Sequence, residues 1–402
     1  LPSDWIDVRE AWRRIESLAP VLRSTACPLA EANGRVLAES VVADRDLPPF
    51  HRSAMDGYAV RSAEIAAATR EHPVALHVAG EVKPGQPGDA PLRAGTALRI
   101  MTGAAVPDGW DAVVPVEDTS GFDSDPVQVY CGIAPLRNIA PRGSERRAGD
   151  QVFEVGHLLT PVDIGALAML GCTAPRVFHR PSVSLLATGD ELVDPDDRPG
   201  DYTIRNSNTP MLEALLHDVA GPVHLLGVAP DERAALRGLL EQGMQRDVLI
   251  ITGGVSAGAY DHVEDLLETL GVRIVFRQVA LQPGKPATFG VHPSGCVLAL
   301  PGNPVSAWTT FRLFGGPLLL RMQGARAILP QFERRIADFA WKRRNPKWIL
   351  FPVEAEGERL RRAPYAGSGD LLAFSRAHGQ VVLPPETSVV APGDPVWFWP
   401  GR

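Results

Sequence analysis

Long apolar runs are missing from this chain: no stretch approaches the roughly 18–20 consecutive apolar residues that a membrane span needs, so a membrane partner is excluded. Cysteine is scarce. Cys27, Cys131, Cys172 and Cys296 show no CxxC spacing, which excludes both a disulfide framework and a zinc knuckle and points to a reducing cytoplasm. Positive charge is in deficit. A formal net charge of −7 excludes nucleic acid as the main partner, because phosphate-backbone binding draws on an excess of Lys and Arg. The local basic strings Arg142-Gly-Ser-Glu-Arg-Arg147 and Trp341-Lys-Arg-Arg344 read as solvated surface charge. Leu1-Pro-Ser-Asp-Trp5 lacks the basic start and apolar core of a secretory signal, and no internal repeat is visible.

What remains is an ordinary globular composition, 45% hydrophobic and 22% charged, over 402 residues, long enough for two to four domains. An amphipathic helix opens the chain, with Asp4 as N-cap, Val8, Ala11, Trp12, Ile15 and Leu18 at helical spacing, and Pro20 as its stop. From about residue 47 to 138, short β-rich runs broken by Gly and Pro predict a small β module. Thr160-Pro161 caps a further helix through Leu170. From Pro181 strands and helices alternate: Val223–Val228 leads to a helix capped by Asp231, and Thr209-Pro210 caps another. This predicts a doubly wound α/β domain ending near Met322. The last ~80 residues carry short β-like runs and predict a small β-barrel or sandwich.

Within the α/β stretch, three apolar runs each end in a glycine turn. Val183–Ala187 precedes Thr188-Gly-Asp-Glu191, Val248–Ile251 precedes Thr252-Gly-Gly-Val-Ser-Ala-Gly258, and Val297–Leu300 precedes Pro301-Gly-Asn-Pro-Val-Ser306. In a parallel sheet such ends lie side by side and face one crevice, where backbone N–H groups freed by glycine suit a phosphate-bearing ligand. Thr188, Gly189, Asp190, Gly253, Gly254, Val255, Ser256, Gly258, Pro301, Gly302, Asn303 and Ser306 are the candidate binding residues. Ser256 suits a phosphate or a helix cap equally. The carboxylates Glu191, Asp231 and Asp261 beside a phosphate site call for a cation, and Mg²⁺ is the common solution; Asp231 serves equally as an N-cap. Lys285, fixed between prolines in Gln282-Pro-Gly-Lys-Pro286, is a candidate anion contact. Asp56 and Thr102 stand on turns in the β module and look ordinary by themselves.

Together the strings Ser53-Ala-Met-Asp-Gly-Tyr-Ala59, Met101-Thr-Gly-Ala104, Thr188-Gly-Asp-Glu-Leu192, Asn206-Ser-Asn208, Gly253-Gly-Val-Ser-Ala-Gly258 with Asp261, Pro283-Gly-Lys-Pro286 and Pro301-Gly-Asn-Pro-Val-Ser-Ala307 resemble the MoeA family of molybdopterin molybdenumtransferases, which includes the gephyrin E domain. The resemblance runs from the first helix to about residue 322 and more loosely to the end. It implies a discontinuous linker domain (1–46 and 139–176), an inserted β module (47–138), an α/β molybdopterin-binding domain (177–322) and a C-terminal β domain (323–402). It implies a transferase of molybdenum cofactor biosynthesis that inserts molybdate into adenylylated molybdopterin and releases AMP, with Mg²⁺ on Glu191, Asp231 and Asp261. Asp261 and Lys285 would be catalytic, and Lys285 and Ser368 would hold the tetrahedral oxyanion.

The resemblance further implies a cytoplasmic homodimer with an inter-subunit site, in which Asp56 and Thr102 of one chain complete the crevice of the other. A molybdopterin adenylyltransferase and molybdoenzymes are the further partners it suggests. The chain departs from the family in several places: His51 and Arg52 stand before Ser-Ala-Met-Asp, Gly143-Ser-Glu145 replaces a more compact acidic string, Gln282 replaces a lysine, and the arginines common early in the last domain are not in place around Asn345–Phe351, where Lys347 is the nearest basic residue. Two alternatives are a non-catalytic molybdopterin carrier or scaffold and a related adenylyltransferase.

Overall fold

The computed structural model describes residues 5–87, 92–230, 232–254 and 263–401. The chain divides into two compact units, one of Leu1–Glu39, Val155–Ile164 and Ala174–Arg402, the other of Ser40–Glu154 and Gly165–Thr173.

The smaller unit is built on a five-stranded sheet of β1 (Gly57–Val60), β2 (Val74–Val82), β3 (Thr96–Ile100), β4 (Ala112–Pro115) and β5 (Val127–Val129), in the order β4-β1-β3-β2-β5. Side chains alternate across a strand, so one sheet feeds two cores. Tyr58, Val60, Ala97, Ala112 and Val114 pack on one face, and Ala59, Leu98, Ile100 and Val113 on the other.

The larger unit opens with α1 (Val8–Leu18), which buries Val8, Ala11, Trp12 and Ile15. Its cap is Asp7, not Asp4: the Asp7 carboxylate accepts from Arg9 N at 2.8 Å, and Asp4 lies outside the described residues. Leu18 ends the helix partly exposed. The helix α2 (Pro161–Met169), close to the predicted span, begins in this unit and ends in the other.

A six-stranded sheet then forms from β6 (Val183–Thr188), β7 (Val223–Ala229), β8 (Val248–Thr252), β9 (Arg273–Phe276), β10 (Thr288–His292) and β11 (Gly295–Leu300), in the order β7-β6-β8-β11-β10-β9. The first four are parallel, and β10 and β9 close one edge antiparallel. Parallel strands covered on both faces need apolar residues at every position. Leu185, Ile250 and Leu298 accordingly face α1, α3 (Asn208–Leu216) and the helices after β11. Leu186, Ile251 and Val297 face α4 (Arg233–Gly243) and α5 (Val263–Thr269). Each such side chain contributes about 1.5–3 kcal/mol when fully buried.

Two starts differ from the sequence pattern. α3 begins at Asn208 because the Asn206 carboxamide bonds both Thr209 N (3.2 Å) and Thr209 Oγ1 (2.8 Å). α4 begins at Arg233 with Glu232 at its cap; Asp231 lies outside the described residues.

After β11, α6 (Pro304–Thr310) passes through one wide π turn into α7 (Gly316–Met322). Five strands, β12 (Glu333–Ala337), β13 (Trp348–Glu356), β14 (Arg359–Arg362), β15 (Gly379–Leu383) and β16 (Pro395–Pro400), then pair around the ring β13-β14-β12-β16-β15 and back to β13, a closed barrel. Phe351, Val353, Leu360, Val381 and Phe398 fill it. Leu281–Gln282 joins from outside, parallel to Trp348–Ile349. Arg312 lies 4.5 Å from the Trp308 ring and 4.3 Å from the Trp399 ring and donates to Pro400 O at 2.8 Å, while burial pushes its pKa down to about 10. Among the described residues no helix is long and apolar enough to cross a membrane.

Candidate active site

The three glycine turns meet where the sheet changes direction. The chain leaves β6 for β7 on one side and returns across it to β8 on the other, and such a switch point opens a crevice at the carboxyl ends of the strands. Register aligns Ala187 with Thr252 and Thr252 with Leu300, so the turns stand side by side. Gly253 has φ +91, and a Cβ there would sit 2.5 Å from Thr188 O; only glycine permits that approach. Asn208 Nδ2 donates to Thr252 Oγ1 (2.8 Å) and Gly302 O (2.7 Å), tying two turns together. The resulting cavity of about 800 Å³ is lined by Thr188, Gly189, Glu191, Asn208, Gly253, Gly254, Pro301, Gly302 and Asn303 among others. Thr188 Oγ1 and Asn208 Oδ1 are buried without a hydrogen-bond partner among the described residues. An unpaired buried polar group costs about 1–3 kcal/mol, so a ligand offering polar groups there stabilises the site. Asp190 is exposed and does not line this cavity.

A second cavity, about 1020 Å³, adjoins the first, since Pro286, Pro301 and Asn303 line both. Six basic residues line it, Lys285, Lys342, Arg343, Arg344, Lys347 and Arg362, and among the described residues no carboxylate does. The string Trp341–Arg344 lines this cavity; Lys342 and Arg344 are exposed, as their reading as solvated charge has it, while Arg343 is half-buried. Its short strand Trp341–Lys342 pairs antiparallel with Val389–Val390, a long-range contact that a linear pattern does not encode. Lys285 sits on a turn fixed at its carbonyl, which accepts from Val279 N and Ala287 N, both at 2.9 Å. Its ammonium lies 5.3 Å from the Trp5 ring, and that of Lys347 4.6 Å from the same ring. Burial, and then repulsion from Lys285, push the Lys347 pKa below its ordinary value. Ser306 and Ser368 line the same wall, with Ser368 Oγ accepting from Asn303 Nδ2 at 3.0 Å.

Arg343 has another task. Its guanidinium donates to the carbonyls of Thr387, Asn345, Lys347 and Pro384 at 2.6–2.9 Å, shaping the loop that carries Lys347. Asn345 Nδ2 ties that loop to Gln282 Oε1 at 3.0 Å.

In the smaller unit, Asp56 Oδ1 accepts from Thr102 N (2.7 Å) and Thr102 Oγ1 (2.9 Å). The backbone bond, then the hydroxyl bond, lower the Asp56 pKa below its ordinary value. Two residues that look ordinary in sequence are thus one constellation. Val255, Ser256, Gly258, Asp231 and Asp261 lie outside the described residues. Glu191 lines the crevice, and no cluster of three or more His, Cys, Asp or Glu suited to a metal occurs among the described residues.

Residues 6–171 match the family profile described as MoeA N-terminal region (domain I and II), and residues 184–321 that of a probable molybdopterin binding domain. A protein named molybdopterin molybdenumtransferase from Staphylococcus aureus strain Mu50 is 31% identical over 384 residues, covering 94% of this chain and 91% of its own; one from Staphylococcus epidermidis strain ATCC 12228 matches equally. The chain belongs to the MoeA family of molybdopterin molybdenumtransferases. Solved structures agree. A molybdopterin biosynthesis MoeA protein from Pyrococcus horikoshii OT3 is 28% identical, with a TM-score of 0.84 over 98% of this chain and 100% of its own. A second P. horikoshii MoeA structure gives 0.77 over 99% of both chains, also at 28% identity.

Two residues of this MoeA-family site carry no motif signal as site residues. Asn208 is quoted within a matching string, yet its bridge between β8 and β11 depends on sheet order. Arg362 is a plain strand residue in sequence, and only the pairing of β14 with β13 brings it to the cavity.

Proposed function

We propose that this enzyme of molybdenum cofactor biosynthesis inserts molybdate into the dithiolene of adenylylated molybdopterin and releases AMP. One observation carries the reading: among the described residues, a glycine-walled crevice with unpaired buried polar atoms adjoins a cavity lined by six basic residues and no carboxylate. The first suits a phosphate-bearing organic ligand, the second a small multiply charged oxyanion. The backbone of Gly189, Gly253, Gly254 and Gly302 binds and orients the pterin phosphate and the adenylate. Lys285, Lys347 and Ser368 hold the oxyanion against the dithiolene, and Pro301, Asn303 and Ser306 form the wall between the two ligands.

Mg²⁺ would rest on Glu191 with Asp231 and Asp261, where it would neutralise charge on the pyrophosphate. Glu191, the described member of that set, stands at the crevice and fits such a role. The Asp56–Thr102 pair is assigned to the crevice of a second copy in a cytoplasmic homodimer, within the four-part division read from sequence. The carrier alternative is not favoured, because the relatives that match 94% of the chain are named as transferases.

The test is to mix pure protein with adenylylated molybdopterin, Mg²⁺ and molybdate and follow AMP. Release that depends on molybdate supports the reading, and none above a protein-free control rejects it.

A further inference from the structure

Strand β14 carries three arginines with different fates. Arg359 and Arg361 share one face, where Asp338 holds them at 3.9 and 3.1 Å, and Glu356 also reaches Arg361 at 3.2 Å. Arg362 shares the other face with Leu360, which is fully buried in the barrel. At the strand's end, opposite Val353, its side chain is exposed. The guanidinium stacks 4.6 Å from the Phe351 ring and lines the basic cavity. Among the described residues no carboxylate pairs with it, and no hydrogen bond engages its side chain.

Stacking uses the face of a guanidinium and leaves its five N–H groups in the plane, free to donate. Phe351 is 6% exposed and offers a packed ring beneath the exposed guanidinium. Lys342 and Arg344 have no comparable support, and Arg343 is engaged by carbonyls. A planar guanidinium at the wall of an anion cavity matches two oxygens of a tetrahedral oxyanion, where an ammonium offers a point charge.

We propose that Arg362 binds the oxyanion in this cavity through two in-plane N–H groups, with Lys285 and Lys347 supplying point charge around it. This rests on the molybdate reading above. The test is equilibrium dialysis of molybdate against the full chain without the pterin, so that nothing turns over, with binding of adenylylated molybdopterin measured separately in the absence of molybdate. R362Q is expected to weaken molybdate binding roughly tenfold or more and R362K to weaken it less, with pterin binding unchanged. R359Q removes the same charge from the same strand but outside the cavity, and should stay within about twofold of the parent.

Arg362→Gln within about twofold of the parent overturns the assignment, as does an equal loss in R359Q, which would make the effect long-range charge alone. Should R362Q melt early, R362K decides: unchanged binding in that variant removes the fork from the site. Because dialysis needs no turnover, failure of AMP release in the parent rejects the proposed reaction while leaving this binding result to stand or fall by itself.

Discussion

The two adjoining cavities differ in what makes them specific. The crevice over the sheet is walled largely by turns whose polar groups are backbone, hydroxyl and carboxamide, with one acidic and one basic side chain, Glu191 and Arg205. The cavity against the barrel is walled by side-chain charge of one sign. Backbone geometry reads the shape of a large organic ligand and tolerates little substitution, as the 2.5 Å limit at Gly253 shows. Side-chain charge reads an ion, and it can be supplied from several positions in the fold. The first kind of site is written in local sequence; the second is assembled by tertiary structure.

The largest expected effect separates the two. Lys285→Ala should lower the molybdate-dependent rate by roughly a hundredfold or more, as loss of a preorganised charge contact does, with pterin affinity nearly intact. Asn208→Ala should do the reverse, raising the half-saturating pterin concentration while leaving molybdate dependence unchanged. Steady-state rates varied in each substrate decide; both variants losing both dependences would merge the cavities into one functional unit.

Next, Asp56→Ala and Lys285→Ala, each inactive alone, should recover part of the activity when co-assembled, because a mixed dimer retains one intact site. Heterodimers proven by two affinity tags but showing no recovery would confine the site to a single chain.

A smaller effect concerns Lys347. Burial and repulsion from Lys285 push its pKa below the ordinary lysine value, so its charge is lost at a lower pH than that of an unperturbed lysine. Molybdate affinity should therefore fall on the alkaline side earlier than unperturbed lysines dictate. Lys347→Arg should move that limb upward, and Lys347→Ala should weaken molybdate binding at neutral pH and abolish the limb. An unaltered profile in both variants removes Lys347 from the oxyanion site.

The smallest effect is at the turn carrying Ser368. Asp370 caps α8 (Leu371–Arg376), accepting from Ala373 N (3.0 Å) and Ala366 N (3.1 Å), and these bonds lower its pKa. A depressed carboxylate pKa stabilises the fold above the unfolded value and loses that stabilisation as pH falls through the folded one. Asp370→Ala should melt slightly below the parent at pH 7, and the gap should close in acid.

Sequence carried the crevice well, because strand, glycine turn and helix start are consecutive there: Thr188, Gly253 and Gly302 stand where the pattern puts them. The α/β order and the C-terminal barrel were also legible from periodicity. The helix caps were less so, since Asp4, Asp7 and Asn206 are all suitable types and only the fold chooses among them. The basic cavity was half hidden. Lys285 and Lys347 were visible as candidates, whereas Lys342, Arg343 and Arg344 looked like surface, and Arg362 looked like nothing, because their meeting depends on long-range strand pairing. The pairing of Asp56 with Thr102 likewise spans a gap that local patterns do not bridge.

The short strand Leu281–Gln282 has a consequence for modularity. By position it belongs to the α/β stretch, yet its ladder partner is Trp348–Ile349 of the barrel, and Lys285 follows three residues later. Trp348 also donates to Asp7 at 3.0 Å and meets the Trp12 ring edge-on at 5.9 Å. Cutting the chain after Met322 would strip the support from the turn that aims Lys285 and uncover Trp12 at once. The last eighty residues are therefore not an appendage that can be exchanged between relatives as a cassette; a chimaera keeps its anion site only if it crosses over upstream of Leu281.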